Sequence, residues 1–253
     1  MTLLAADDVG ELLQSPDWME QALQPGPRRS ISDVDAAPLV LNPAKVLCVG
    51  LNYSKHIIEM GRDLPVSPTL FTKFASSLCG ARDPIPLPPE STQVDWEAEL
   101  AVVIGRPGRR IPQEQALGHV AGYTVLNDVS MRDWQNRTTQ FLAGKAWERS
   151  SPLGPFLVTP DELPRGAEGL RITCSVNDEI VQDDSTGDLL FGVAALIAYI
   201  STFTSLTPGD IIATGTPGGV GAGRTPPRFL SPGDRLRTSI EGIGELDNLI
   251  TSG

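Results

Sequence analysis

Three carboxylates in one short apolar stretch are the first residues whose types and spacing could do chemistry. Residues 94–104 read Val-Asp-Trp-Glu-Ala-Glu-Leu-Ala-Val-Val-Ile. Alternate residues of a β-strand share a face, so Asp95, Glu97 and Glu99 would point the same way. Like charges about 7 Å apart that enter a low-dielectric core need a neutralising partner, and a hard divalent cation is one. A solvated acidic edge of the sheet is the alternative interpretation.

A second acidic group stands at the end of another apolar strand. Residues 122–128 read Gly-Tyr-Thr-Val-Leu-Asn-Asp, so the pattern ends in Asn127 and Asp128. An aspartate at a strand end, opposite Glu-x-Glu, would complete an all-oxygen site that suits Mg²⁺, Mn²⁺ or Ca²⁺. Taken alone, an Asn-Asp pair at a strand end is more often a turn.

A histidine and a glutamate could supply general-base chemistry. His56 and Glu59 are spaced i,i+3 after a Gly-Leu-Asn-Tyr turn, so on a helix they share a face and the carboxylate can orient the imidazole. An exposed helical pair worth a few tenths of a kcal/mol is the alternative. The other histidine, His119, is interpreted as structural.

Two further segments contain a lysine and a glycine-rich loop. Lys145 follows Gly144 ahead of a Pro-Leu-Gly-Pro turn, and residues 213–221 read Ala-Thr-Gly-Thr-Pro-Gly-Gly-Val-Gly. The glycines match neither GxGxxG nor a P-loop, and GxSxG and HExxH are absent from the sequence. Nucleotide-binding, serine-triad and zincin chemistry therefore have no support.

The elements that must position these residues indicate an α+β protein dominated by strands. Residues 1–44 contain one helix start, Ser15-Pro16-Asp17, and few core candidates, so they are predicted to form a small N-terminal segment. A larger domain is expected over 45–253, where short apolar runs alternate with Gly/Pro/Asp turns. The predicted strands cover 45–49, 94–104, 121–128, 170–176, 179–182, 210–214, 235–240 and 245–250. The predicted helices cover 53–60, 112–116 and 189–203.

Composition excludes two partner classes. The 253 residues carry 31 acidic against 20 basic side chains, a formal charge of −11. A protein that binds nucleic acid or an anionic membrane needs a cationic face, so neither partner is expected. Three cysteines without a CxxC pair argue against a disulfide framework or a thiolate zinc site. The N-terminus lacks a basic region and the longest apolar run is about twelve residues, well below the bilayer requirement, so a cytoplasmic protein is predicted.

Each motif is weak alone, but their order resembles the fumarylacetoacetate hydrolase superfamily from about Lys45 to Ile250. The resemblance implies a mixed β-roll with flanking helices, usually a homodimer, and one Mg²⁺ or Mn²⁺ per chain. Glu97, Glu99 and Asp128 match the family's metal ligands. The other implied roles are a water-activating dyad on a lid segment (His56 and Glu59), a lysine beside the metal (Lys145), substrate-facing groups (Arg132 and Gln135), a carboxylate-holding turn (Gly215 and Thr216) and a nearby lysine (Lys73).

The resemblance leaves the reaction open between two types. The leading hypothesis is hydrolysis of a C–C bond in a small 2,4-dioxo acid, acylpyruvate or fumarylpyruvate, to pyruvate and a second acid, as in aromatic catabolism. There the dyad would activate water while the metal and Lys145 stabilise the enolate of pyruvate. The alternative is an isomerase/decarboxylase, or an oxaloacetate decarboxylase or tautomerase, that acts through the same enolate.

Overall fold

The structure, a computed structural model, describes residues 6–28, 30, 37–59, 61 and 63–253, without the side chains of His56 and Glu59. The helices are α1 (Val9–Leu12), α2 (Trp18–Ala22), α3 (Ser54–Glu59), α4 (Arg132–Gln135), α5 (Leu142–Lys145) and α6 (Val193–Phe203). The strands are β1 (Val46–Gly50), β2 (Thr69–Lys73), β3 (Leu78–Cys79), β4 (Ile85–Leu87), β5 (Val94–Asp95), β6 (Ala98–Ile104), β7 (Val120–Asn127), β8 (Ser130–Met131), β9 (Ser151–Val158), β10 (Arg171–Val176), β11 (Glu179–Ser185), β12 (Ile211–Ala213), β13 (Arg235–Ile240) and β14 (Gly244–Ser252).

Two mixed sheets form the body of the protein. The first has seven strands in the order β2-β1-β12-β6-β7-β9-β3, and the second has five in the order β11-β10-β13-β14-β4. Strands β5 and β8 form a separate two-stranded ladder. Most pairings are antiparallel, with parallel pairs at β1/β12, β3/β9 and β4/β14. The predicted α+β class is confirmed.

The central strand β6 is buried on both faces, and this explains its apolar run from Leu100 to Ile104. Leu100 and Val102 belong to the large core shared with the second sheet and α6. Ala101 and Val103 belong to a smaller core behind the first sheet, which also contains Leu13 from the N-terminal segment. Because side chains alternate along a strand, Glu99 lies on the same side as the smaller core.

The predicted strand 94–104 is interrupted in the structure, so that prediction is wrong at Trp96 and Glu97. Three backbone N–H groups there bond to side chains instead of a neighbouring strand. Trp96 N donates to Asp95 Oδ1 (2.8 Å), Glu97 N donates to Asn127 Oδ1 (3.0 Å), and Ala98 N donates to Gln182 Oε1 (3.0 Å). These side chains replace the ladder and satisfy the buried N–H groups.

Other boundaries differ from the predicted ones where proline or 3-10 geometry intervenes. Strands β4 and β9 contain Pro86, Pro152 and Pro155. Proline has no N–H for a strand ladder, so its presence argues against a strand and these two were not predicted. The helix predicted at 112–116 is a 3-10 helix at Gln113–His119, and the helix predicted at 189–203 begins at Val193. No helix in the described part of the chain is long and apolar enough to cross a bilayer.

Candidate active site

Strand pairing brings three acidic side chains together. Glu97 lies just before β6, Glu99 lies within it, and Asp128 directly follows β7, the antiparallel neighbour of β6. Asp128 N donates to the Glu97 carbonyl at 2.8 Å, which holds the end of β7 beside the start of β6. One carboxylate oxygen from each residue lies within 4.8 Å of the others, and all three residues are buried. We call Glu97, Glu99 and Asp128 the carboxylate triad.

Two lysines contact the triad from inside the protein. Lys145 Nζ, at the end of α5, lies 2.7 Å from Glu97 Oε2 and 2.9 Å from Asp128 Oδ2. Lys73 Nζ donates to the Lys145 carbonyl and forms an ion pair with Asp128 Oδ1 at 2.7 Å. Burial acts to raise the pKa of Asp128, but Lys145 and Lys73 outweigh it and hold that pKa below its ordinary value. Burial likewise acts to lower the pKa of Lys145, but Asp128 and Glu97 keep it raised.

Glu99, unlike the other two triad residues, forms no ion pair with a lysine or arginine that the structure describes. Its Oε2 accepts a hydrogen bond from Gly215 N at 2.9 Å. Burial, then the charges of Asp128 and Glu97, raises the pKa of Glu99 well above its ordinary value. A buried carboxylate in this position requires a proton or a cation.

The donor set of the triad therefore fits a divalent ion. The site offers three carboxylate groups and no sulfur or imidazole ligand among the described residues, which is the chemistry that hard cations prefer. The oxygens that Lys145 contacts keep further lone pairs, so the ammonium and an ion could share Glu97 and Asp128. Whether the ion is magnesium or manganese stays a prediction.

A second network, centred on Asp95, was not predicted from the sequence beyond the face that Asp95 shares with Glu97. Asp95 is fully buried and accepts hydrogen bonds from Gly221 N (2.6 Å) and Ala222 N (3.0 Å) in the glycine-rich loop. Its Oδ2 also accepts from Arg132 Nε at 2.8 Å. Burial acts to lower the pKa of Arg132, but Glu97 and Asp95 raise it further, so the guanidinium is permanently charged.

Arg132 connects the Asp95 network to the triad. Its NH1 group lies 2.6 Å from Glu97 Oε1 and donates to Gln135 Oε1 at 2.8 Å. Both Arg132 and Gln135 lie on the short helix α4, so one turn of helix presents the two predicted substrate-facing residues together. Their contact with substrate stays a prediction.

A cavity of about 530 Å³ opens beside these residues. Its polar lining includes Glu97, Arg132, Gln135, Lys145 and Thr216, and its apolar lining includes Phe71 and Phe141. Lys73, which pairs with Asp128, is buried and is not among the lining residues that the structure describes. The cavity, at the edge of the triad, is large enough for a small acid.

The Gly215–Thr216 turn supports the triad from the side of β12. Gly215 has φ of +99°, and a Cβ there would lie 2.9 Å from the Val49 carbonyl oxygen, so only glycine fits without strain. Thr216 Oγ1 accepts from Gln182 Nε2 at 2.8 Å. The Gly215 N–H is thus committed to Glu99, while Thr216 remains on the cavity wall.

The predicted dyad is described only by its backbone. His56 and Glu59 lie in α3, which begins three residues after the cavity-lining Leu51, and their side chains lie outside the description. The dyad geometry therefore stays a prediction. His119 Nδ1 lies 3.1 Å from the Arg106 carbonyl, at the surface and away from the cavity lining, in keeping with a structural role.

Known proteins resemble this chain over most of its length. The family model for the C-terminal region of fumarylacetoacetate (FAA) hydrolase matches residues 45–251. The mitochondrial oxaloacetate tautomerase fahd2 of Xenopus laevis is 47% identical over 221 residues, which is 87% of this chain and 69% of the relative. An HpcE-like protein from Mycobacterium smegmatis superimposes with a TM-score of 0.90 at 44% identity, covering 98% of this chain and 89% of that one. A 5-carboxymethyl-2-hydroxymuconate delta-isomerase from the same organism gives 0.80 at 35% identity, covering 90% and 86%.

These relatives correct the predicted location. The prediction of a cytoplasmic protein is wrong, because the matched oxaloacetate tautomerases of Xenopus laevis and Homo sapiens are mitochondrial. The physical reason is that few cysteines and a short apolar run argue against secretion and membrane spanning, but they do not distinguish one reducing compartment from another.

The fold and the acidic triad agree with the resemblance drawn from the motifs. The superposition on the HpcE-like protein covers nearly the whole chain, which confirms the mixed β-roll with flanking helices. The family match begins at Lys45 and ends at Thr251. This chain belongs to the fumarylacetoacetate hydrolase family of enzymes.

Proposed function

We propose that this protein is a tautomerase that interconverts the keto and enol forms of oxaloacetate or a close 2-oxo acid. C–C bond hydrolysis, the leading hypothesis from the sequence, has weaker support than its alternative. Relatives at 47% identity act as oxaloacetate tautomerases, and a structural neighbour at 35% identity is an isomerase. Both reactions move a proton next to a carbonyl group without breaking the carbon skeleton.

The tautomerase activity of the 47% identical relatives carries the proposal, and the position of Lys145 supplies the enolate stabilisation that it needs. Removing a proton from C3 of a 2-oxo acid places negative charge on the C2 oxygen. Lys145 Nζ is held between Glu97 and Asp128 by two ion pairs at the edge of the cavity, so its charge is oriented before substrate arrives. A fixed charge in a water-poor site stabilises developing negative charge without reorganisation.

Other groups would bind the substrate and move its proton. When bound by the triad, a divalent ion supplies Lewis-acid polarisation of the 2-oxo group. Arg132 and Gln135 present a cation and an amide to the cavity from one turn of α4. His56, oriented by Glu59, is the proposed proton carrier between C3 and the C2 oxygen.

The test follows three outcomes in parallel with Mg²⁺ present. The absorbance of enol-oxaloacetate reports tautomerisation, pyruvate formed from oxaloacetate reports decarboxylation, and pyruvate formed from acetylpyruvate or fumarylpyruvate reports hydrolysis. We expect rapid enol decay without pyruvate. Lys145→Met should slow it by about 100-fold or more, since a charge-stabilising group is lost. Arg149→Met, which removes an exposed cation paired with Asp83, should leave the rate unchanged.

Two results would overturn the proposal. Faster cleavage of an acylpyruvate than decay of enol-oxaloacetate would identify a hydrolase. Pyruvate release that keeps pace with oxaloacetate loss would identify a decarboxylase.

A further inference from the structure

We propose that Arg224 binds the distal carboxylate of the substrate and so makes this site selective for dicarboxylic 2-oxo acids. The inference rests on the proposed function and names the substrate class of the same cavity. The acid head of such a substrate would lie toward the triad, and its far end would meet the glycine-rich loop.

The loop places Arg224 at the wall of the cavity, in the same lining as Glu97 and Lys145. Two neighbouring backbone N–H groups, on Gly221 and Ala222, bond to the buried Asp95. A Cβ at Gly221 would lie 2.0 Å from the Arg228 carbonyl oxygen, so the loop packs as closely as backbone allows. Arg224 thus projects from a fixed segment rather than from a loosely held one.

Arg224 shares its only carboxylate partner in the described structure with a second arginine. Arg228 NH1 lies 2.7 Å from Glu179 Oε2, whereas Arg224 NH1 lies 3.2 Å from Glu179 Oε1. Two guanidinium groups therefore face one carboxylate, and this corner of the cavity keeps a positive charge. An incoming anion would be attracted to it.

Besides Glu179, the guanidinium of Arg224 has long contacts, and its carbon lies 5.8 Å from the centroid of the Trp96 ring. Its NH2 group reaches the Val181 carbonyl only at 3.5 Å, and its Nε has no hydrogen-bond partner among the described residues. Its side chain is 30% exposed, so a small rotation can turn the fork toward a ligand. A carboxylate can accept two parallel N–H bonds from such a fork, which suits Arg better than Lys.

The other cations of the cavity wall are already committed. Lys145 contacts Glu97 and Asp128, and Arg132 contacts Asp95 and Glu97, all at 2.9 Å or less. These four contacts, two of them on Glu97, hold both cations at the triad, where the acid head would bind. Among the lining residues that the structure describes, Arg224 is the cation left for the distal carboxylate.

A matched pair of ligands isolates this contact. Oxaloacetate and 2-oxobutyrate have the same four-carbon chain and the same 2-oxo acid head, and they differ in a terminal carboxylate against a methyl group. Calorimetric titration of the Mg²⁺-loaded full chain gives the Kd of each ligand, and the ratio of the two measures recognition of the distal carboxylate alone.

Arg224→Gln should weaken oxaloacetate binding by about 10- to 100-fold, as expected for loss of hydrogen bonds to a charged group. Binding of 2-oxobutyrate should change by less than about twofold. Arg224→Lys should retain part of the preference, because it keeps the charge but loses the fork. Arg171→Gln is the control, since Arg171 pairs with Asp183 at the surface and is not among the described lining residues, and the ratio should not fall.

Glu179→Gln tests the inference without altering Arg224. Removing the competing carboxylate should tighten oxaloacetate binding and leave 2-oxobutyrate unchanged. Equal weakening of both ligands by Arg224→Gln, or an unchanged ratio in that variant and in Glu179→Gln, would overturn the inference. If wild type fails to accelerate enol decay yet the Kd ratio responds as expected, the proposed function fails while the role of Arg224 stands.

Discussion

Asp95 and Arg132 are joined by a buried ion pair in which Asp95 Oδ2 lies 2.8 Å from Arg132 Nε. The other Asp95 oxygen accepts a hydrogen bond from Gly221 N at 2.6 Å. One carboxylate therefore fixes both the α4 guanidinium and the glycine-rich loop, two of the walls of the cavity.

Asp95→Asn should destabilise the protein strongly. The change leaves the buried Arg132 with Glu97 as its remaining carboxylate, and breaking a buried pair costs about 3–5 kcal/mol. Urea denaturation would measure this loss. The matched control is Asp183→Asn, which breaks an exposed pair with Arg171 and should change the free energy of unfolding by less than about 1 kcal/mol. Similar losses in the two variants would contradict the assigned role of Asp95.

Mg²⁺ should stabilise the wild-type protein against thermal unfolding. An ion present at 100 times its Kd adds about 2.7 kcal/mol to the free energy of unfolding, and a chelator should remove that gain. Glu99→Gln should abolish the gain because it removes the triad carboxylate that forms no ion pair with the described side chains. Glu245→Gln, an exposed change on β14, should keep it. A full gain in Glu99→Gln would show that the ion binds elsewhere.

Gly215→Ala and Gly233→Ala separate steric contact from backbone strain. Both glycines have positive φ, +99° and +94°, but a Cβ at Gly233 meets no atom within 4 Å, whereas one at Gly215 meets the Val49 carbonyl at 2.9 Å. Gly233→Ala should cost about 1–2 kcal/mol from strain alone. Gly215→Ala should cost more and should weaken Mg²⁺ binding, because its N–H supports Glu99. Equal losses and unchanged Mg²⁺ affinity would contradict this.

Alkaline pH should destabilise the protein through its buried thiols. Burial raises the pKa of Cys79 and of Cys174 from 9.0 to about 12. Below pH 9 the thiols are protonated in both the folded and the unfolded protein, so their full contribution to the free energy of unfolding is present. Above pH 9 the unfolded thiols ionise first, and stability falls as pH rises toward 12.

Each thiol should lower the free energy of unfolding by about 1.4 kcal/mol per pH unit in that window. Urea denaturation of wild type and Cys174→Ala between pH 9 and 11 would give the slope of the free energy of unfolding against pH for each protein. The tyrosine and lysine titrations are common to both proteins, so they cancel in the difference between the slopes. Identical slopes would mean that Cys174 is ionised, or accessible, in the folded protein.

The sequence alone predicted much of the site because its signals are local. Alternation along residues 94–104 and the strand end at Asp128 left a metal site as one open interpretation, and the resemblance selected Glu97, Glu99 and Asp128, whose carboxylate oxygens the structure brings within 4.8 Å. The turn at Asn177 and Asp178 between β10 and β11 is equally local, because both residues adopt positive φ, which Asn and Asp tolerate. Such features depend on strand periodicity and turn chemistry, which a few adjacent residues determine.

Only the tertiary structure decided which distant groups contact the acidic side chains around the cavity. Asp95 and Gly221 are 126 residues apart in sequence, and Arg224 shares Glu179 across 45 residues. Neither pairing produces a periodic pattern in the sequence. The interruption of the strand at Trp96 and Glu97 depends on side chains from β7 and β11. Periodicity reports the environment of one segment, whereas the charge balance of a buried site is a sum over every element that packs around it.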